Sequence, residues 1–185
     1  MKELEGKKVA ILATNGFEES ELFEPRKTLM ENGAVVLIIA PEKGRIKAWN
    51  HGNWSKRIEV DLTLDEAKES DFDALVLPGG VINPDKLRRY PEAVDFVRSF
   101  FENNKIVASI CHGPQMLIEA DVVKGRTMTS FSSIKKDLQN AGANWIDEEV
   151  VVDNNLLTSR SPEDLKAFNR TLIEEIAKVE EPVRR

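Results

Sequence analysis

The chain has 185 residues, 41% hydrophobic and 31% charged, with a net charge of −6. This is one ordinary domain's length (1–185) with apolar content enough for a core, which excludes a disordered chain. Acidic and basic residues are mixed throughout, which argues against a nucleic-acid-binding surface. A single cysteine excludes an internal disulfide and fits a reducing compartment. The polar first eight residues lack a signal-peptide core, and no apolar run approaches the ~20 residues that span a bilayer. The expectation is a soluble cytoplasmic protein with no membrane partner.

In chain order, residues 8–14 (KVAILAT) form an apolar run ending at Asn15-Gly16, and 34–40 (AVVLIIA) form a second ending at Pro41. Residues 42–55 show no clear periodicity and hold Trp49, His51 and Trp54; they read as a surface loop or partner-facing patch, with His51 a surface residue. A short strand is expected over 57–60. Residues 74–77 (ALVL) run into Pro78-Gly79-Gly80, and 106–110 (IVASI) run into Cys111. Apolar runs bounded by turn residues suggest strands buried on both faces. Between them, Ala93, Val94, Val97, Phe100 and Phe101 carry helical spacing. A hairpin is expected around Asn154-Asn155, joining 149–153 to 156–158. A final helix follows Ser161-Pro162, with Leu165, Phe168, Leu172 and Ile176 on one face. This alternation predicts an α/β, flavodoxin-like three-layer sandwich: a mostly parallel sheet, helices on both faces and a small β-hairpin.

The segment 106–120 (IVASICHGPQMLIEA) carries the chemistry. A strand runs directly into Cys-His-Gly-Pro, with Gly113 permitting a tight turn and Pro114 suited to a helix start. Such a nucleophile elbow places Cys111 at the carboxyl end of a central strand, where α/β sheets bind ligands. A helix N-terminus beside it predicts a thiol pKa below the free value of ~8.5. An inert core thiol is the competing reading of a lone cysteine.

The sequences SICHGPQ (109–115), DALVLPGG (73–80), GFEESELFEP (16–25) and EVVVD (149–153) together resemble the PfpI/ThiJ family. That family lies within the class I glutamine amidotransferase-like superfamily. The likeness runs from about Lys8 to about Ile176 and is strongest to the PfpI branch, described as intracellular proteases, stress proteins, glyoxalases and deglycases. The resemblance implies Cys111 as nucleophile with His112 beside it, and Glu21 as a carboxyl hydrogen-bonded to the sulfur. It implies an oxyanion hole from the backbone N–H groups of Gly80 and His112. Asp85 matches the acidic position that completes the set, often from a neighbouring subunit. Its loop is one residue longer than in some relatives, and Asp is shorter than the Glu of others.

Only two histidines are present, His51 and His112. A glutaminase of this superfamily needs a His well downstream of its cysteine; here Ser161 stands in that place, before Pro162-Glu163. The expectation is therefore a cysteine-dependent enzyme, not a glutamine amidotransferase. It would act on small carbonyl compounds or glycated adducts, with no cofactor and no metal implied. A peptidase or amidase acting on peptides, and a non-enzymatic redox sensor or holdase, are the alternatives. The loop 81–89 and the two tryptophans predict a homo-oligomer, at least a dimer.

Overall fold

The computed structural model describes residues 2–179. In chain order the first half contains β1 (Lys8–Leu12), β2 (Phe17–Glu18), α1 (Glu19–Glu31), β3 (Val35–Ala40), β4 (Arg45–Asn50), β5 (Asn53–Glu59), β6 (Leu62–Thr63) and β7 (Ala74–Leu77). Then come α2 (Ile82–Leu87), α3 (Pro91–Glu102), β8 (Ile106–Ile110), α4 (Gln115–Glu119), β9 (Thr127–Met128) and α5 (Lys135–Asn140). β10 (Asn144–Trp145), β11 (Val151–Asp153), β12 (Leu156–Ser159) and α6 (Leu165–Ala177) complete the set.

Seven strands form the central sheet in the order β11-β12-β8-β7-β1-β3-β6. Only the β11–β12 pair is antiparallel. Strand alternation divides the core between the two faces. Val9 and Ile11 of β1 face one apolar cluster with Leu22 and Leu29 of α1 and Phe168, Leu172 and Ile176 of α6. Ala10 and Leu12 face the other, with Val97 and Phe100 of α3 and Met116 and Leu117 of α4. This is the mostly parallel three-layer α/β sandwich that the apolar runs predict. The sheet changes direction at β1: the chain steps to β3 on one side and later places β7 on the other. The crevice at their carboxyl ends is where such sheets bind ligands.

Residues 42–55 correct the sequence reading. They are not a loop but most of an antiparallel hairpin, β4–β5, and the strand expected at 57–60 is only the end of β5. Trp49 pairs with Trp54 across it, with ring centroids 5.2 Å apart in a T-shaped contact. The turn uses His51 (φ 46°) and Gly52 (φ 81°), both in the left-handed region that a tight hairpin turn requires. The second hairpin lies where expected, with β11 and β12 joined through Asn154-Asn155. The 81–89 loop contains a short helix, α2. Among the described residues, no helix is long and apolar enough to cross a membrane.

Candidate active site around Cys111

β8 ends at Ile110, and Cys111 itself takes a left-handed backbone, φ 62°. A side chain there is strained, so neighbours must hold it. They do: Cys111 N–H donates to Ser159 O of β12 at 3.1 Å, and Phe131 N–H donates to Cys111 O at 2.9 Å. The chain then closes a turn, with Gly113 N–H on Ile110 O at 2.9 Å, before α4 begins. α4 has only five residues, too few to supply the helix dipole that the sequence reading invoked.

The Cys111 residue is 6% exposed. The backbone N–H groups of Gly80 and His112 lie beside its sulfur, where they favour the charged form. The His112 ring lies alongside, Nδ1 at 3.3 Å from Sγ. Glu21, wholly buried in α1, brings its carboxyl to the same sulfur. Glu21 Oε2 accepts the Gly79 N–H at 3.3 Å, while Oε1 is fully buried without a nitrogen or oxygen donor.

This arrangement depends on the two glycines after β7. A Cβ on Gly79 would sit 2.7 Å from Cys111 Cβ and 2.8 Å from Glu21 Oε2. Gly80 has φ 80° and lies against the Gly16 carbonyl, where a Cβ would come within 2.5 Å. Asn83, fully buried in α2, fixes the turn: its Nδ2 donates to Pro78 O at 3.0 Å and Gly79 O at 3.2 Å. Its Oδ1 accepts the Thr14 N–H at 2.8 Å.

His112 is held on every side. Phe131 stacks on its ring at 4.9 Å, and Ser133 Oγ lies 3.1 Å from Nε2. Burial lowers the imidazole pKa from its ordinary value, favouring the neutral ring. Burial also pushes the Glu21 carboxyl well above the usual carboxylate range. The Cys111 thiol is pushed up too, first by burial and then by any charge on Glu21. Burial thus opposes the acidic thiol that the sequence reading expects, whereas a protonated Glu21, carrying no charge, would favour it by donating to the thiolate. Two buried acids in contact oppose each other's ionisation, and they titrate as a pair.

Asp85 is exposed on α2, and within one chain both ring nitrogens of His112 already face Cys111 and Ser133. Ser161 is in extended backbone where a glutaminase would need histidine. Its neighbour Arg160 is engaged with Asp164 and Asp147. His51 is exposed at the hairpin turn, near Glu18, whose carboxyl pKa is raised by burial. Sequence reasoning missed Asn83, Phe131 and Ser133. Only Asn83 left a signal, as an Asn-Pro pair directly after the glycine turn. Among the described residues, no group of three or more His, Cys, Asp or Glu is placed to hold a metal ion.

Comparison with known proteins gives consistent results. The family model described as DJ-1/PfpI matches residues 7–175. Deglycase PfpI of Pyrococcus furiosus is 47% identical over 166 residues, covering 90% of this chain and 97% of that one. General stress protein 18 of Bacillus subtilis is 45% identical over 166 residues, covering 89% and 95%. The crystal structure of Drosophila melanogaster DJ-1beta superposes with a TM-score of 0.84 at 30% identity, covering 94% of this chain and 91% of that one.

Proposed function

Because this chain belongs to the DJ-1/PfpI family, we propose that it is a cysteine-dependent stress-protection enzyme. Its substrates would be reactive carbonyl compounds or the glycated adducts they form with amines. The observation that carries this reading is the convergence of four groups on one sulfur: two backbone N–H groups, the His112 imidazole and the Glu21 carboxyl. An inert core thiol has no need of such company. A nucleophile only 6% exposed also favours a small carbonyl compound over a folded or extended peptide.

In this mechanism the Cys111 thiol meets the substrate protonated, and His112 is the neutral base. With a 2-oxoaldehyde, sulfur bonds to the aldehyde carbon as the thiol proton passes to Nδ1 across 3.3 Å. The carbonyl electron pair moves to oxygen, held by the Gly80 and His112 N–H groups in an oxyanion hole. Return of the proton gives a hemithioacetal. Transfer of hydrogen from the first carbon to the second, through an enediol, gives a thioester of the 2-hydroxy acid. Water then releases the acid and restores the thiol. His112 and Glu21 move these protons; a protonated Glu21 has a hydrogen to give at Oε1, where no donor now reaches it. On a glycated amine the same attack at the carbonyl-derived carbon would release the amine.

For Nδ1 to accept a proton, the other must sit on Nε2. Ser133 Oγ, 3.1 Å away, accepts that Nε2–H and so selects the tautomer the reaction needs. Asp85 of a second copy is the rival acceptor, and the exposed position of α2 leaves it free to serve one in a homo-oligomer. Mixing Cys111→Ser subunits with Asp85→Ala subunits tests the rival: if each is inactive alone, recovered activity means that Asp85 acts in trans, and no recovery after subunit exchange means that it acts in cis or not at all.

The reading itself is tested with methylglyoxal and a glycated amino acid as substrates, comparing the native protein with Cys111→Ser. Loss of turnover on at least one, by about a thousandfold or more, is expected. Equal turnover by both proteins on both substrates would overturn it.

A further inference from the structure

A cavity of about 470 Å³ lies at the carboxyl end of the sheet, apart from Cys111. Its walls come from the loop after β1, the segment from the end of β3 into β4, α2 and Tyr90. Cys111 does not line it. It sits over the carboxyl ends of β1 and β3, in the region where open α/β sheets place ligands, and its volume suits a small metabolite.

Its charge is the opposite of the molecule's. Lys43, Arg45, Lys86 and Arg89 line the cavity against a single carboxylate, Glu42, in a chain whose net charge is −6. Two of the cations have partners outside the cavity: Lys43 meets Glu66 at 2.8 Å and Arg45 meets Glu59. Both pairs are exposed, with the Lys43 and Arg45 side chains at 77% and 62%, so water screens them and a more strongly charged ligand can displace either partner. Lys86 and Arg89 take part in no salt bridge among the described residues. Two like charges three residues apart, aimed at one cavity, repel unless an anion lies between them.

We propose that this cavity is an anion site for a small phosphomonoester. The guanidinium groups of Arg45 and Arg89 present planar forks that match phosphate oxygens, and Lys86 adds a compact charge. Thr14 and Tyr90 supply hydroxyl groups on the remaining wall. A doubly charged tetrahedral group brings more charge and a third acceptor oxygen to these cations than a carboxylate does. The space beyond it accommodates a short polyol or carbonyl chain.

The test is calorimetric titration of the whole chain at low salt with inorganic phosphate and with glycerol 3-phosphate, with acetate and glycerol as comparison ligands. Saturable binding of both phosphates is expected, weakening as salt rises. The Lys86→Ala/Arg89→Ala variant should lose about tenfold or more in affinity, since two charge-assisted contacts go. Cys111→Ser should bind as the native protein does. Arg89→Lys, which keeps the charge but loses the fork, should fall between. Both replaced side chains are exposed, and unchanged melting temperatures would show that the variants fold. The proposal is overturned if neither phosphate saturates by about 20 mM, the range of non-specific attraction. It is equally overturned if the double variant binds unchanged, or if acetate binds as well as phosphate.

Discussion

The two sites at the carboxyl end of this sheet, the surroundings of Cys111 and the basic cavity, handle charge in opposite ways. Around Cys111 almost nothing reaches water: Glu21 is 0% exposed and His112 9%, and burial shifts each group toward its neutral form. In the basic cavity the charged side chains stand in solvent, and exposed partners balance two of them. The first site depends on fixed hydrogen bonds and close packing, so its chemistry should respond to displacements of an ångström and to protonation. The second depends on diffuse charge and should respond to salt. Asn83 joins them, holding the glycine turn on one side and the Thr14 backbone on the other.

The sharpest break in this contrast is Gly79→Ala. Its Cβ would come 2.7 Å from Cys111 Cβ and 2.8 Å from Glu21 Oε2, so the nucleophile or its neighbour must move. Carbonyl turnover should fall by about a hundredfold or more, the usual result of displacing a reacting group by an ångström. Lys86→Ala should leave turnover within about twofold, as surface changes do. Comparable losses in both would erase the distinction between the sites.

Asn83→Leu comes next, because it removes three hydrogen bonds inside the protein while keeping the volume. Leaving the Pro78 and Gly79 carbonyls and the Thr14 N–H without their partner should cost about 2–4 kcal/mol in denaturant unfolding. A loss below about 0.5 kcal/mol, typical of a surface change, would mean that the turn stands unaided.

Much of the fold was legible because β1, β7 and β8 are buried on both faces and leave unbroken apolar runs. The β4–β5 hairpin was not. It is half-exposed, its register shifts between Lys47 and Trp49, and its turn is His51-Gly52 instead of Asn-Gly. α2 hid behind Asn83-Pro84-Asp85, which reads as a loop. In the site, Cys111, Gly80 and Glu21 were visible through local motifs. Ser133 lies 21 residues from His112 in sequence and meets it only because Phe131 N–H is tied to Cys111 O. Asp85 is exposed on α2, and its matching position in the sequence does not by itself say which group it serves.

Protonation sharpens the comparison further. The activity limb at low pH should lie below the ordinary histidine range, because burial favours neutral His112 and the proposed reaction uses that form. Ser133→Ala should lower turnover by about three- to tenfold, as loss of an outer hydrogen bond often does, and shift that limb further down. Ser133→Thr should restore both. A limb that stays fixed in the alanine variant would reduce Ser133 to a packing contact.

The smallest effect concerns stability. Glu21 holds its proton more tightly folded than unfolded, since burial raises its pKa. Its contribution to stability is complete below the unfolded carboxylate value and is lost as pH rises through the folded one. Glu21→Gln keeps the shape without the charge, so its stability relative to the native protein should improve as pH rises from the unfolded carboxylate value through the raised folded one. A gain that is flat with pH would mean that Glu21 is ionised in the folded state no less readily than in the unfolded one.

The left-handed backbone at Cys111 has a consequence for the protein's descent. A side chain in that conformation costs roughly 1–2 kcal/mol relative to glycine, so the fold itself carries a standing preference against the cysteine that the proposed reaction uses. A lineage that no longer needed the reaction would be free to drift there toward glycine or asparagine, and would gain stability by doing so, while the surrounding glycine turn and buried asparagine could persist unchanged. On the proposed mechanism, the identity of the residue at this one strained position would separate working copies of the fold from idle ones more sharply than overall similarity does.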